Sequence, residues 1–434
     1  FARVANIARL IGSAAGGDTL TGTLSTLALS AGSDTALDTF DGGGGGTATA
    51  AETLTGGALA GGVLTFASDS AYGPGVRVDL AGHTATGHGT YVLNHIETVY
   101  GSLHGDDVLL GDGRNNLLVA GSGDSRLVAA AGLTPDDGHN TLVGGAGRDT
   151  LDATHGSNLI VAGSGGGLLL AAGADTLSFA ASRFGVSVSL TADGGVAAPA
   201  PGVNLTISGT LQAVIGSAGS DTLTGAAGTL TLSGGRGGDD RFDLGGAGTP
   251  GAPVQVIGSD GGVNTLTFAH DTIGGVRANL STTDRVYGIS GGVTLAAGRV
   301  EAGDYGSARV SQIQRLVGSA AGGDLLVGGG GVVALSAGSA TASDTFDPGG
   351  GGTLAAPESI IGGASAVGSV TYASDTVSGI TANLTTGLVT GYGVQQLANI
   401  QRFFGSAHGG DLLVGAATTQ VLAAGSNSRG DTFD

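Results

Sequence analysis

IQRLVGSAAGGDLLVG, residues 313–328, reads as an aliphatic strand running into Gly-Ser, a short glycine-rich gap, then Asp and an aliphatic pair. The same phrase stands at IARLIGSAAGGDTLTG from Ile7, IETVYGSLHGDDVLLG from Ile96, LQAVIGSAGSDTLTG from Leu211 and IQRFFGSAHGGDLLVG from Ile400. Repetition on this scale means modules whose apolar edges are covered by the next module, so the phrase predicts one stacked solenoid. The five anchors divide the chain into repeat modules 1–95, 96–210, 211–312, 313–399 and a partial fifth, 400–434. They are unequally spaced, as expected where insertions sit in loops outside a stacked core.

Two further phrases recur in register. LTFASD ends at Asp69 and is echoed around Phe179, Phe268 and Tyr372, each time followed by an alternating strand: Val76 to Leu80, Val186 to Leu190, Val276 to Leu280 and Ile380 to Leu384. A Leu-rich strand and a Gly/Ser turn lead into DTFD or DRFD, ending at Asp41, Asp243, Asp347 and Asp434. The chain thus starts inside one repeat and stops inside another, and FARVANIARLIGS reads as module rather than as a signal peptide. Neither end has the polar character of a cap.

Composition agrees. Of 434 residues 89 are Gly, yet 41% are hydrophobic and glycine follows no strict third-position rule, which excludes collagen and leaves enough apolar surface for a core. There is no Cys, so neither disulfides nor thiol chemistry contribute. The net charge of −19 argues against nucleic acid as a partner. No run reaches the roughly 18 to 20 apolar residues of a membrane-spanning helix, and membrane insertion is not expected. All 16 basic residues are Arg, and only Glu52, Glu97, Glu301 and Glu358 among 35 acidic residues are Glu. Short carboxylates in glycine-rich turns suit calcium, a hard cation that takes several oxygens from a tight loop.

Helix signals are nearly absent, and short alternating runs bounded by Gly, Asn and Asp read as strands. Between residues 135 and 170 the period becomes nine: PDDGHNTLV, GGAGRDTLD, ATHGSNLIV and AGSGGGLLL. In GGAGRDTLD, Gly145 and Gly147 are expected to permit positive φ in a tight turn, with Asp149 turned into it and Leu151 pointing inward. This stretch resembles the hemolysin-type, or RTX, calcium-binding repeats of secreted bacterial proteins. The resemblance implies a right-handed parallel β-roll or β-helix, calcium in the turns and type I secretion. The sixth residue of each nine is the family's aspartate ligand, and here it is Asn140, Asp149, Asn158 and Gly167. With two nines per coil, Asn140 stacks beside Asn158 and Asp149 beside Gly167, and a neutral Asn ladder can satisfy the turns without an ion. Candidate calcium ligands are Asp149, the pair Asp106 and Asp107 with Asp112 nearby, and the pair Asp239 and Asp240.

Other constellations carry less. His83, His88, His95 and His104 fit no familiar zinc spacing. GISGG at 288–292 matches a nucleophile elbow without the strand-to-helix context that motif requires. Arg429-Gly430-Asp431 coincides with the start of a DTFD. Asn204, Asn279 and Asn383 head N-x-Ser/Thr triplets, two of them within repeated strands. A polysaccharide-cleaving solenoid needs clustered acids and stacking aromatics, and aromatics are 4% with no Trp.

The expected architecture is an all-β, elongated, right-handed parallel β-solenoid of stacked irregular modules, cored by Leu20, Phe66, Val99, Leu223, Phe268, Leu316, Tyr372 and Phe403. The expected function is that of a non-enzymatic, secreted bacterial structural protein that self-assembles into an extracellular filament, sheath or surface layer, with its own copies and cell-surface polysaccharide as candidate partners. The alternative is an adhesin stalk or the calcium-binding repeat domain of a larger secreted toxin or enzyme. An ice-binding role for Thr ladders such as TLTGTLSTL, residues 19–27, fits less well because those Thr lack a fixed short interval.

Overall fold

The structure is a computed structural model describing residues 7–66, 75–103, 106–130, 138–172, 174–287, 293–339, 341–425 and 429–434. The chain falls into two compact units, Phe1–Ser217 and Ala218–Asp434, the boundary lying inside the phrase that begins at Leu211. The fold is all-β, with 1% helix and 44% strand, and its long parallel sheets are those of a β-solenoid. Asp69, His104, residues 135–137 and GISGG lie outside the described residues.

Many strands are three residues long and bury only the middle one, because x-Leu-x between glycine turns presents one side chain inward and two outward. Outside a few antiparallel insertions, successive strands alternate between two facing sheets, so one coil is strand, turn, strand, turn. In the first unit one inner face is a ladder of Leu10, Leu29, Leu54 and Leu93, continued by Val78, Leu109, Leu127, Leu151, Leu169 and Ile207. The other is Leu20, Phe40, Leu64, Val99, Leu118, Leu142, Ile160, Leu177 and Val214. The second unit is built alike, for example through Leu326, Phe346, Val370 and Phe403. All eight core residues named from the sequence are buried.

The nonapeptide run behaves as its period predicts. Thr141 pairs with Leu159 and Asp149 with Gly167, both in parallel register 18 residues apart. Its glycines have a different purpose from the one expected. Neither Gly145 nor Gly147 has positive φ. A Cβ on Gly145 would lie 1.8 Å from the carbonyl oxygen of Gly121, and one on Gly147 2.2 Å from that of Gly123. Close approach of neighbouring coils, rather than backbone handedness, requires glycine here.

The stack also contains antiparallel meanders that a purely parallel reading lacks. Glu52–Thr55 pairs in parallel with Gly89–Asn94, then Thr84–Gly87 and Arg77–Asp79 follow antiparallel before Val108–Leu110 resumes the parallel order. Gly167–Ala171 leads into a similar meander, as do Val254–Ile257 and Glu358–Ile361 in the second unit. Each meander uses the strand predicted after the FASD-type phrase. Its return strand fits because residues such as Gly87 and Gly89 take φ of 131° and 115°, open to glycine and strained for other residues.

Candidate functional site

The residue at the start of a stacked strand, or just before it, is Asp, Asn or Ser in coil after coil, and its side chain accepts the backbone N–H of the corresponding residue next door. In the first unit the N–H of Asp18 donates to Asp38 Oδ1 at 2.8 Å, that of Asp107 to Ser125 Oγ at 3.2 Å, and that of Ser125 to Asp149 Oδ1 at 3.0 Å. On the facing sheet, which also carries the Asp18–Asp38 pair, Asn116 donates to Asn140 Oδ1 (2.8 Å), Asn140 to Asn158 Oδ1 (3.2 Å) and Asn158 to Asp175 Oδ1 (2.8 Å). The Asn ladder expected from the sequence is thus built from backbone donors onto side-chain oxygens. In the second unit Asp221 donates to Asp240, Asp240 to Asn264, Asp324 to Asp344, and Asp411 to Asp431. Asp431, the aspartate of the Arg-Gly-Asp triplet, is therefore a ladder member.

The Gly-Ser of the repeated phrase completes this device. Asp107 accepts the Ser102 N–H through Oδ2 at 2.8 Å, and the Ser102 hydroxyl and Val76 N–H through Oδ1 at 2.8 and 2.9 Å. Asp324 takes the same three donors from Ser319 and Val276, and Asp411 from Ser406 and Ile380. These turns would otherwise bury amides without acceptors, so each capped amide is worth about 1–2 kcal/mol. Burial pushes the Asp107 and Asp149 carboxyls up, and the converging N–H groups pull them partly back.

The six predicted calcium ligands are placed as caps. Asp107, Asp149 and Asp240 are buried, whereas Asp106 and Asp239 are exposed and Asp112 is half-buried. Adjacent acids are not brought together: Asp106 faces outward and accepts the Asp124 N–H at 2.9 Å, and Asp239 likewise accepts that of Val263 at 2.8 Å. Asp112 caps the Arg114 N–H at 2.9 Å. Asp149 holds the Ser125 amide on one oxygen and the Gly145 amide, at 2.6 Å, on the other. Calcium needs converging oxygens, and Asp107 and Asp149 instead sit among converging N–H and O–H donors, so this donor set does not fit the ion. Among the described residues no three or more His, Asp or Glu side chains are grouped to share a metal.

His83 and His95 line one small cleft with Asp112 and Arg114. Both take positive φ, 55° and 50°, and the His83 ring contacts the Leu93 carbonyl, so they belong to turns of a meander. Asn279 is buried and donates to the Thr283 and Leu295 carbonyls, which removes it as a glycan acceptor. Asn383 caps Thr385 and Thr386, and Asn204 is exposed.

Sequence reasoning missed the acids beneath the loops that follow DTFD and DRFD. Asp243 accepts the Tyr305 hydroxyl at 2.7 Å and lies 2.6 Å from His270 Nδ1. Asp347 accepts the Tyr287 hydroxyl at 2.7 Å and the Ser374 hydroxyl at 2.9 Å. Glu52 and Glu358 are fully buried, and burial together with Asp41 or Asp347 pushes their carboxyls up to about 7 and about 9. The available signal was that two of only four Glu stand twelfth in the matching stretches DGGGGGTATAAE and DPGGGGTLAAPE.

Comparison with protein-family models and with curated proteins returns no match for this chain. Among the described residues no helix is long and apolar enough to cross a membrane.

Proposed function

We propose that this chain is a secreted bacterial structural protein that builds an extracellular or cell-surface filament, sheath or layer by joining copies of itself. The observation that carries this reading is the parallel pairing of successive coils, which any further coil can extend through the same kind of backbone hydrogen bonds. The acids and amides of the turns are engaged in capping, which suits a scaffold. The single full nonapeptide, Gly144–Asp152, supports a kinship with exported repeat proteins. Electron microscopy of the purified chain over a concentration series tests the reading: filaments or sheets are expected, and only dispersed monomers at high concentration, with and without calcium, would overturn it.

A further inference from the structure

Three loops follow the buried aspartates of DTFD and DRFD: residues 41–52, 243–254 and 347–358. They share one conformation. The first Asp caps the N–H two residues on, at 3.0, 3.1 and 3.1 Å. A Thr and an Ala bridge each other in both directions, Thr47 with Ala50, Thr249 with Ala252 and Thr353 with Ala356. The sixth residue is a glycine with φ of 72°, 74° and 76°. The twelfth side chain is fully buried in all three, and it is Glu52, Val254 and Glu358. Valine therefore suffices for the loop, and glutamate adds a buried acid that the conformation does not need.

Neither oxygen of Glu52 or Glu358 has a hydrogen-bond partner among the described residues. Around Glu52 lie carbonyl oxygens. A methyl on Gly22 would be 2.7 Å from Glu52 Oε1 and 2.8 Å from the Gly42 carbonyl oxygen, and one on Gly45 would be 2.0 Å from Oε2 and 3.0 Å from the Thr23 carbonyl oxygen. Asp41 is close enough to add its negative field. A buried, unpartnered carboxyl with carbonyl oxygens close by needs either a proton or a cation.

The two glutamates differ in what else is near. Arg285 acts on Asp347, and the Gln395 amide, the register partner of Glu358, eases its charge while donating to the Gly351 and Tyr392 carbonyls at 2.7 and 3.2 Å. In the first unit the register partner of Glu52 is Tyr91, whose hydroxyl donates to the His88 carbonyl. We propose that the Asp41–Glu52 loop binds a hard divalent cation of the calcium class, held by the Glu52 carboxylate with the main-chain carbonyls of Gly42 and Thr23. An all-oxygen, carbonyl-rich setting in a glycine loop suits the adaptable coordination of calcium better than the strict octahedron of magnesium. Glu358 has the Pro348 and Gly329 carbonyls beside it in the same way, but burial and Asp347 push its carboxyl up to about 9, so it keeps a proton instead. Cation binding at Glu52 does not depend on self-assembly.

The test is thermal unfolding and titration calorimetry of the full chain at about pH 8, with CaCl₂ or MgCl₂ up to about 10 mM. Calcium is expected to release or absorb heat and to raise the melting temperature by a few degrees, magnesium to do much less. Glu52→Val, which installs the side chain that the equivalent loop already carries at Val254, is expected to fold and lose the calcium response, and Glu358→Val to keep it. If Glu52→Val does not fold, Glu52→Gln gives the same decision. No response of the native chain to calcium, an equal response to magnesium, or a response retained without the Glu52 carboxylate would overturn the proposal.

Discussion

Asp107 and Glu52 are both buried acids in the first unit, and they are solved in opposite ways. Asp107 receives three donors from Ser102 and Val76, so its charge completes the backbone of two coils. Glu52 receives none, faces carbonyls, and occupies a place that Val254 fills in the second unit. Burial depth therefore does not determine what a carboxylate does in this fold; the direction of the surrounding peptide dipoles does.

The strongest way to break this contrast is Asp107→Ala. It leaves the Val76 and Ser102 amides and the Ser102 hydroxyl without acceptors, and the expected loss is about 3–5 kcal/mol in chemical denaturation. A loss below about 1 kcal/mol would show that water reaches the turn and that the cap is dispensable.

Next in size is a pH effect. The Glu358 carboxyl, pushed up to about 9, keeps its proton in the folded chain over a range where the unfolded chain has released it. The folded state then binds more protons, so stability is full below the ordinary carboxylate range and falls as pH rises through about 9. Asp344 and Glu52, pushed up to about 6 and about 7, contribute lower in that range. Between pH 7 and pH 9 the native chain is expected to lose about 2 kcal/mol through Glu358, and Glu358→Gln to flatten this fall in melting temperature. A variant with the same slope as the native chain would remove Glu358 from the class of buried neutral acids.

The smallest effect sharpens the comparison on the capping side. Asp149→Asn keeps an acceptor for the Ser125 amide, as Asn140 and Asn158 do for their neighbours, and sets an NH₂ against the Gly145 amide. A cost of about 1 kcal/mol is expected in urea unfolding, with strand content by circular dichroism unchanged. A cost as large as that of Asp107→Ala would mean that charge, rather than acceptor geometry, holds the turn.

Much of the molecule is legible in the one-dimensional pattern. The nine-residue period sets Asp149 beside Gly167, and the x-Leu-x triplets pick out Leu20, Val99 and Leu316 as core, because a strand between tight turns has only one inward position to fill. The recurrence of Gly-Ser five or so residues before Asp likewise marks the cap, although its donors could not be named. What lies between coils was hidden: that Gly145 is glycine for the sake of the Gly121 carbonyl, that Thr84–Gly87 returns antiparallel inside a parallel stack, and that Asp106 and Asp107 part company.

By itself, then, the order of residues determined a β-solenoid with its inward ladders, since periodicity and turn chemistry act over neighbouring residues. Only the tertiary structure decided which oxygens meet donors and which do not. Ser102 and Val76 reach Asp107 from different strands, and Gly42 and Thr23 reach Glu52 from two different loops. Hydrogen bonding and charge depend on distances of about 3 Å between groups far apart in the chain, and stacking alone sets those distances.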